Sequence, residues 1–350
     1  MSARHTRPLE FEAEVIGGLE AFAAAELAAM GATLSHTARG SLRFRFDGSW
    51  RRLLPLRTVV AVHVVAASGL PRPGALLDDG RFQRLGSTID RIRALFPAGS
   101  FTSFRLSAAG SDSSVFRRFR DRLSGATGLR DVREGGDLLL CFKRAPIGGA
   151  FELTARLSPR PLSARAWRVC NLPGALNATV ASVMAALSQP SASDVYLNLA
   201  CGSGTLLVER AALAPAGRLV GCDADASALA CAAQNVAAAG LDNVELERWD
   251  ISAIPLPQGS VDALAVDLPF GQLVGSHRHN ERLYPLALAE AARIARPGAR
   301  LVAVTQQGNL FERCLQPARE TWTLESQLRV DLPASAGTLK PRIYVLKRRG

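Results

Sequence analysis

Val195-Tyr196-Leu197-Asn198-Leu199-Ala200-Cys201-Gly202-Ser203-Gly204-Thr205 runs from an apolar segment through two glycines into the helical run LLVERAALA over 206–214. A short apolar run, a glycine turn and then helical periodicity read as a strand feeding a helix. The rhythm repeats. GRLVGCD (217–223), NVELERWD (243–250), VDALAVD (261–267) and ARLVAVTQ (299–306) are strand-like, and helical patterns alternate with them. Strands this continuously apolar, alternating with helices, imply a parallel sheet covered on both faces, an α/β doubly wound architecture. Ligands of such sheets sit across the carboxyl ends of the strands.

Gly202 and Gly204 let backbone N–H groups approach a ligand closely at a helix start. Leu207 stands where a dinucleotide binder has its third glycine, and no lysine follows to make a phosphate loop, which argues against NAD and ATP. Asp223 ends the second strand about twenty residues on, placed to accept hydrogen bonds from ribose hydroxyls, and Asp250 ends the third. Each alone reads equally as a helix cap; together at successive strand ends they point to a nucleoside-bearing cofactor. Asp267-Leu268-Pro269-Phe270-Gly271 ends the fourth strand. It is either a plain turn or a carboxylate, a carbonyl at Leu268 and an aromatic ring placed to hold the exocyclic amine of a stacked base.

Working toward the N-terminus, FEAEVI (11–16), an apolar helical spacing through Leu27 and the alternation Leu42–Phe46 read as a small α+β unit. Gly69–Gly74, with Asp78, Asp79 and Gly80 after it, reads as a linker, and Thr88 as the cap of a short helix. Val115, Phe116, Phe119 and Leu123 share one helical face, which turns Arg117, Arg118, Arg120 and Arg122 outward, toward phosphates or simply toward solvent. Residues 1–170 hold 26 basic and 15 acidic side chains, whereas residues 171–350 hold sixteen of each, so the whole net charge of +11 lies in the first half. A positive field confined to one half favours a polyanionic partner, with nucleic acid ahead of an anionic membrane. At 48% hydrophobic and 21% charged, the chain is expected to be globular throughout. It offers no signal peptide and no apolar run long enough for a membrane span, so a cytoplasmic protein is expected. Its six cysteines form no C-x-x-C pair, and reduced thiols, no metal and a monomer are the expectation.

The N-L-A-C-G-S-G-T loop, the G-C-D strand end and D-L-P-F-G resemble the S-adenosylmethionine-dependent amino-methyltransferases. The string DLPFGQLVGSHRHNERLYPLALAEAARIARPGARLVAVTQ and the preceding WRVCNLPGALNATVA resemble the THUMP-containing tRNA guanine-N2 methyltransferases, above all those acting at position 6 of the acceptor stem. The resemblance implies a Rossmann-like methyltransferase domain over 161–350, a ferredoxin-like domain over 1–75 and a THUMP-like RNA-binding domain over 76–160. It implies a tRNA partner and methyl transfer from S-adenosylmethionine to guanine N2. Asp267 and the Leu268 carbonyl would hold the amine, with Pro269 in the turn and Phe270 stacked on the base. For the cofactor it implies Asn198, Ala200, Gly202 and Gly204 around the methionine part, Asp223 on the ribose, Asp250 near the adenine, and Asp267 at the reacting end. Pro173, Asn177 and Thr179 are further candidates, equally readable as a plain helix start. Two positions depart from the pattern: Asn198 replaces an acid, and Leu268 replaces a first proline. Methylation at another guanosine, such as position 10, and a noncatalytic RNA-binding protein are the alternatives.

Overall fold

In the first 163 residues most strands are apolar on one face and charged on the other, and the chain joins them into one sheet. The elements are β1 (Glu10–Glu14), α1 (Glu20–Ala29), β2 (Thr33–Ala38), β3 (Ser41–Arg45), β4 (Ala61–Leu70), α2 (Asp79–Arg93), β5 (Ser103–Ala108), α3 (Ser114–Thr127), β6 (Arg130–Asp131), β7 (Leu138–Arg144) and β8 (Phe151–Arg156). The computed structural model describes residues 9–270, 277–334 and 337–350. The eight strands lie in the order β2-β3-β1-β4-β8-β7-β5-β6. Phe11, Phe44, Phe104, Leu140 and Leu153 are fully buried, as are Phe119 of α3 and Ile89 of α2. Each such side chain contributes about 1.5–3 kcal/mol of burial. Arg43, itself buried, bridges the Glu12 and Glu152 carboxylates.

One reading of this region changes. The expected linker is structured: β4 extends to Leu70, and Asp78 caps α2 by accepting a hydrogen bond from Arg81 N at 3.0 Å. The helix thus starts well before Thr88, because the Asx cap and the stripe Phe82, Leu85, Ile89, Ile92 outweigh the turn signal of Gly80. The chain divides into two compact units, residues 9–15 with 20–163 and residues 16–19 with 164–350. Within the first, β4 pairs antiparallel with β8, so the parts expected before and after residue 75 share one ladder.

The second unit contains α4 (Ala178–Leu187), β9 (Val195–Leu199), α5 (Thr205–Leu213), β10 (Arg218–Cys222), α6 (Ala226–Ala238), β11 (Val244–Glu247), β12 (Val261–Asp267), α7 (His277–Ile294), β13 (Ala295–Thr305), α8 (Gly308–Leu315), β14 (Trp322–Arg329), the hairpin strands β15 (Leu332–Ala334) and β16 (Gly337–Leu339), and β17 (Arg342–Arg348). Its sheet has the order β11-β10-β9-β12-β13-β17-β14. The first five strands are parallel and β17 is antiparallel to both its neighbours. The core takes Leu197, Leu264 and Leu301 from the strands with Tyr284, Ala291 and Phe311 from the helices.

Six reduced thiols are not what the structure shows. Cys170 and Cys231 form a disulfide, leaving Cys141, Cys201, Cys222 and Cys314 free. The segment before α4 crosses α6 and brings the two Cα atoms to 5.4 Å, within disulfide reach. A separation of 61 residues hides that meeting from a search for spaced pairs.

Candidate active site

The strand order reverses between β9 and β12: β9 leads through α5 to β10 on one side, β12 through α7 to β13 on the other. A crevice opens where the two crossovers part, at the carboxyl ends of the strands. Register brings the candidate residues there. Gly221 pairs with Asn198 and Val266 with Leu199, so Asp223, Ala200 and Asp267 leave three adjacent strands at one level.

The glycine loop turns sharply, with φ of 46° at Ala200, 53° at Gly202 and 77° at Gly204. A Cβ added at Gly204 would lie 3.2 Å from that of Ala232 in α6, so the glycine permits close helix approach. One added at Gly202 would enter open space, the cradle a ligand would occupy. The Gly202 N–H donates to Asp223 Oδ2 at 2.9 Å, and the Asp225 N–H donates to Oδ1 at 3.0 Å. Each carboxylate oxygen retains a second lone pair for a hydroxyl donor. Asn198 is buried; its Nδ2 donates to the carbonyls of Leu199 and Ala265, and its Oδ1 has no partner. The orphaned oxygen, the open face of Gly202 and the spare lone pairs of Asp223 suit a nucleoside bearing an amino-acid group.

Asp250 is placed differently. It lies three residues past the end of β11, exposed, with Oδ1 accepting from the backbone N–H and hydroxyl of Ser252. Those bonds hold its carboxyl below the usual range; no helix follows, so Asp250 closes a turn on Ser252 rather than capping a helix, and Oδ2 alone is left for a ligand. Pro173 is exposed in a turn closed by Ala175 N–H on the Leu172 carbonyl, and Asn177 caps α4 by accepting from Thr179 N–H at 2.8 Å. Thr179 is fully buried, its hydroxyl unpartnered.

Two residues missed in the sequence join this segment to the glycine loop. Arg168 Nη2 donates to the Leu176 carbonyl at 2.7 Å and to the Thr205 hydroxyl at 2.6 Å. Asn235 accepts from the backbone N–H groups of Val169 and Cys170 and donates to the carbonyls of Cys170 and Ser203, all at 2.9 Å. A lone Asn in the Ala-rich helix ASALACAAQNVAA was the available signal.

At the other lip, Asp267 has no hydrogen bond or ion pair among the described residues. Its side chain is half-buried, and the loss of water around it pushes its carboxyl up to about 7. The Leu268 N–H donates to the Val304 carbonyl at 3.0 Å, and no described group donates to the Leu268 carbonyl. The Pro269 carbonyl accepts from Asn280 Nδ2 and from the Tyr284 hydroxyl, both at 2.7 Å, and the Phe270 carbonyl accepts from Gln307 Nε2 at 2.9 Å. Phe270 is partly exposed and Gly271 lies outside the described residues. Burial pushes the Cys201 thiol far up and that of Cys222 to about 12, so neither thiol exchanges a proton near neutrality.

This geometry meets the comparisons. Residues 165–334 match the UPF0020 family model, an RMKL-like methyltransferase domain. The matched stretch lies within the second unit. The "tRNA (guanine(6)-N(2))-methyltransferase THUMP3" of Bos taurus is 30% identical over 190 residues, 50% of this chain and 37% of that protein. The "U6 snRNA (guanine-N(2))-methyltransferase THUMPD2" of the same organism is 36% identical over 133 residues, 38% of this chain and 26% of that one. The chain therefore matches about a third of the length of these curated relatives. The crystal structure of TrmN from Thermus thermophilus superposes with a TM-score of 0.73 at 23% identity, covering 97% of this chain and 99% of that one. The likeness extends over both units and shows the fold, Rossmann-like in the second.

The arginine helix is only half available for phosphates. Arg117 and Arg118 of α3 are exposed, but Arg120 Nε pairs with Asp131 at 2.8 Å, and Arg122 pairs with Asp79 at 2.6 Å while lying over the Phe82 ring. Positions 120 and 122 face neighbouring elements whose acids claim them. Arg156 and Arg168 are likewise turned onto backbone carbonyls.

Proposed function

We propose that the protein transfers a methyl group from S-adenosylmethionine to the exocyclic N2 of a guanosine in tRNA, at position 6. The observation that carries the reading is the Asp267 carboxylate at the switch point, without a partner among the described residues, level with the glycine loop and next to a carbonyl to which no described group donates and a partly exposed ring. The guanine amine is a poor nucleophile because its lone pair is delocalised into the ring. Asp267 and the Leu268 carbonyl each accept one of its N–H groups, which orients the remaining lone pair, and Phe270 stacks on the base for about 1–3 kcal/mol. As nitrogen becomes bonded to carbon its acidity rises, and Asp267 takes the released proton. S-adenosylmethionine, held by Gly202, Gly204, Asp223 and the Asn198 oxygen, supplies the methyl group as a sulfonium. The first unit, read as ferredoxin-like and THUMP-like parts on one sheet, binds the RNA through exposed arginines.

Support for the position comes from the relative named for guanine 6, and a second RNA is suggested by the relative named for U6 snRNA. The test is incubation of the full chain with methyl-labelled S-adenosylmethionine and either tRNA or U6 snRNA, followed by mass mapping. N2-methylguanosine at tRNA position 6 is the expected product. Label at another tRNA guanosine or in U6 snRNA would replace the position or the substrate, and no label in any RNA would defeat the reading.

A further inference from the structure

Four buried or half-buried groups form a hydrogen-bonded chain behind the Asp267-Leu268-Pro269-Phe270 turn. Tyr284 and Thr305 are fully buried, with 2.7 Å between their hydroxyl oxygens. The Tyr284 hydroxyl also lies 2.7 Å from the Pro269 carbonyl, which can only accept. Tyrosine has one proton to give, so it goes to that carbonyl and Thr305 donates to the tyrosine oxygen. The Gln307 N–H in turn donates to Thr305 Oγ1 at 2.9 Å. All donors therefore point one way, from Gln307 through Thr305 and Tyr284 to Pro269, and each bond polarises the next in the dry interior. Asn280, also fully buried, donates to the same carbonyl, and the Gln307 side chain holds the carbonyl of Phe270 while its Oε1 lies 3.0 Å from His277 Nδ1.

The consequence for the turn is geometric. Leu268 is fixed at its N–H on β13, Pro269 by its ring and by two donors on its carbonyl, and Phe270 by a donor on its own carbonyl. The Leu268 carbonyl, to which no described group donates, and the Phe270 ring lie between these fixed points, so their directions follow from the groups that hold the turn.

We propose that Tyr284 and Thr305 are positioning residues of the reaction, aiming the Leu268 carbonyl and the Phe270 ring at the target base through the Pro269 carbonyl. The inference rests on the functional reading above. Tyr284→Phe keeps the ring that packs on Phe311 and removes the relay oxygen; Thr305→Val keeps the shape and removes the donor. Each should lower kcat at saturating S-adenosylmethionine and tRNA by roughly 10- to 100-fold, the scale of sub-ångström misplacement. Calorimetric affinity for S-adenosylmethionine and electrophoretic affinity for tRNA should stay within about twofold. The double variant should be no slower than the slower single one, since both cut one chain. The acid limb of the kcat profile should persist in both, because the proton acceptor is intact. A wild-type kcat in active variants, a loss confined to binding, or disappearance of the acid limb would overturn the assignment. An inactive wild-type enzyme would instead overturn the functional reading on which it rests.

Discussion

Asp267 carries an energetic conflict that none of its described neighbours relieves. A carboxylate at a strand end would ordinarily find a donor, yet the loss of water alone acts on this one and raises it to about 7. Three kinds of measurement follow at this scale. The acid is useful only when ionised, so kcat should rise with pH through about 7 and level off above it, as a single ascending limb in a rate profile. Asp267→Ala should lower methyl transfer by at least about 100-fold, a scale set by loss of a general base, while calorimetry shows S-adenosylmethionine still bound. The same carboxylate should weaken the fold. Where the folded value exceeds the unfolded one, ionisation costs the native state nothing below about 3.8, and the full amount above about 7. Asp267→Asn should therefore be more stable than wild type at pH 8, by about 2–4 kcal/mol in urea unfolding, with the gain shrinking as pH falls from 7 toward 4. A constant difference across that range would mean that the carboxyl is not strained by burial.

At the scale of elements, the glycine loop and the turn after β12 were legible because each is one contiguous string: strand, special backbone, helix. Asp223 followed from distance along the chain and Asp267 from its place beside a proline and an aromatic ring. What joins those strings was not legible. Arg168 meets Thr205 across 37 residues and Asn235 meets Cys170 across 65, and no local pattern marks a side chain whose partners are backbone groups elsewhere. Tyr284 reads as one more core residue of α7 until the Pro269 carbonyl is seen opposite its hydroxyl. The β4–β8 ladder, which links the parts of the chain before and after residue 75, was hidden for the same reason. Asn235 gives this scale its test. Asn235→Ala removes the partner of two half-buried N–H groups and of the carbonyls of Cys170 and Ser203, of which the buried Ser203 carbonyl alone carries the full cost of about 1–3 kcal/mol for an unsatisfied group. Thermal unfolding should drop accordingly, and S-adenosylmethionine affinity should fall more in the presence of a reductant, because the Cys170–Cys231 bond is the second tie holding the same segment to α6. Equal affinities of this variant with and without reductant would show that the disulfide does not share the role of Asn235.

Over the whole molecule, the net charge of +11 and its confinement to residues 1–170 first suggest a broad phosphate grip. The structure narrows it. Arg43, Arg120, Arg122 and Lys143 are committed to Glu12, Glu152, Asp131 and Asp79, and Arg156 to backbone carbonyls. Such pairs leave the formal charge unchanged, but their donors are no longer free to reach a phosphate. Arg117 and Arg118 remain exposed on α3, where backbone contacts would position an RNA without reading its sequence. Each phosphate neutralised releases counterions, so affinity for tRNA should fall steeply with salt. The double variant Arg117→Gln with Arg118→Gln should weaken tRNA binding and flatten the slope of log affinity against log salt by about 2, one for each lost phosphate contact. S-adenosylmethionine affinity should be unchanged, since both residues belong to the first unit and the glycine loop to the second. Arg120→Gln and Arg122→Gln should instead leave the slope alone and lower the melting temperature, because they remove pairs internal to the fold. If all four variants flatten the slope equally, the arginine helix acts as one continuous face and the ion pairs on it open when RNA binds.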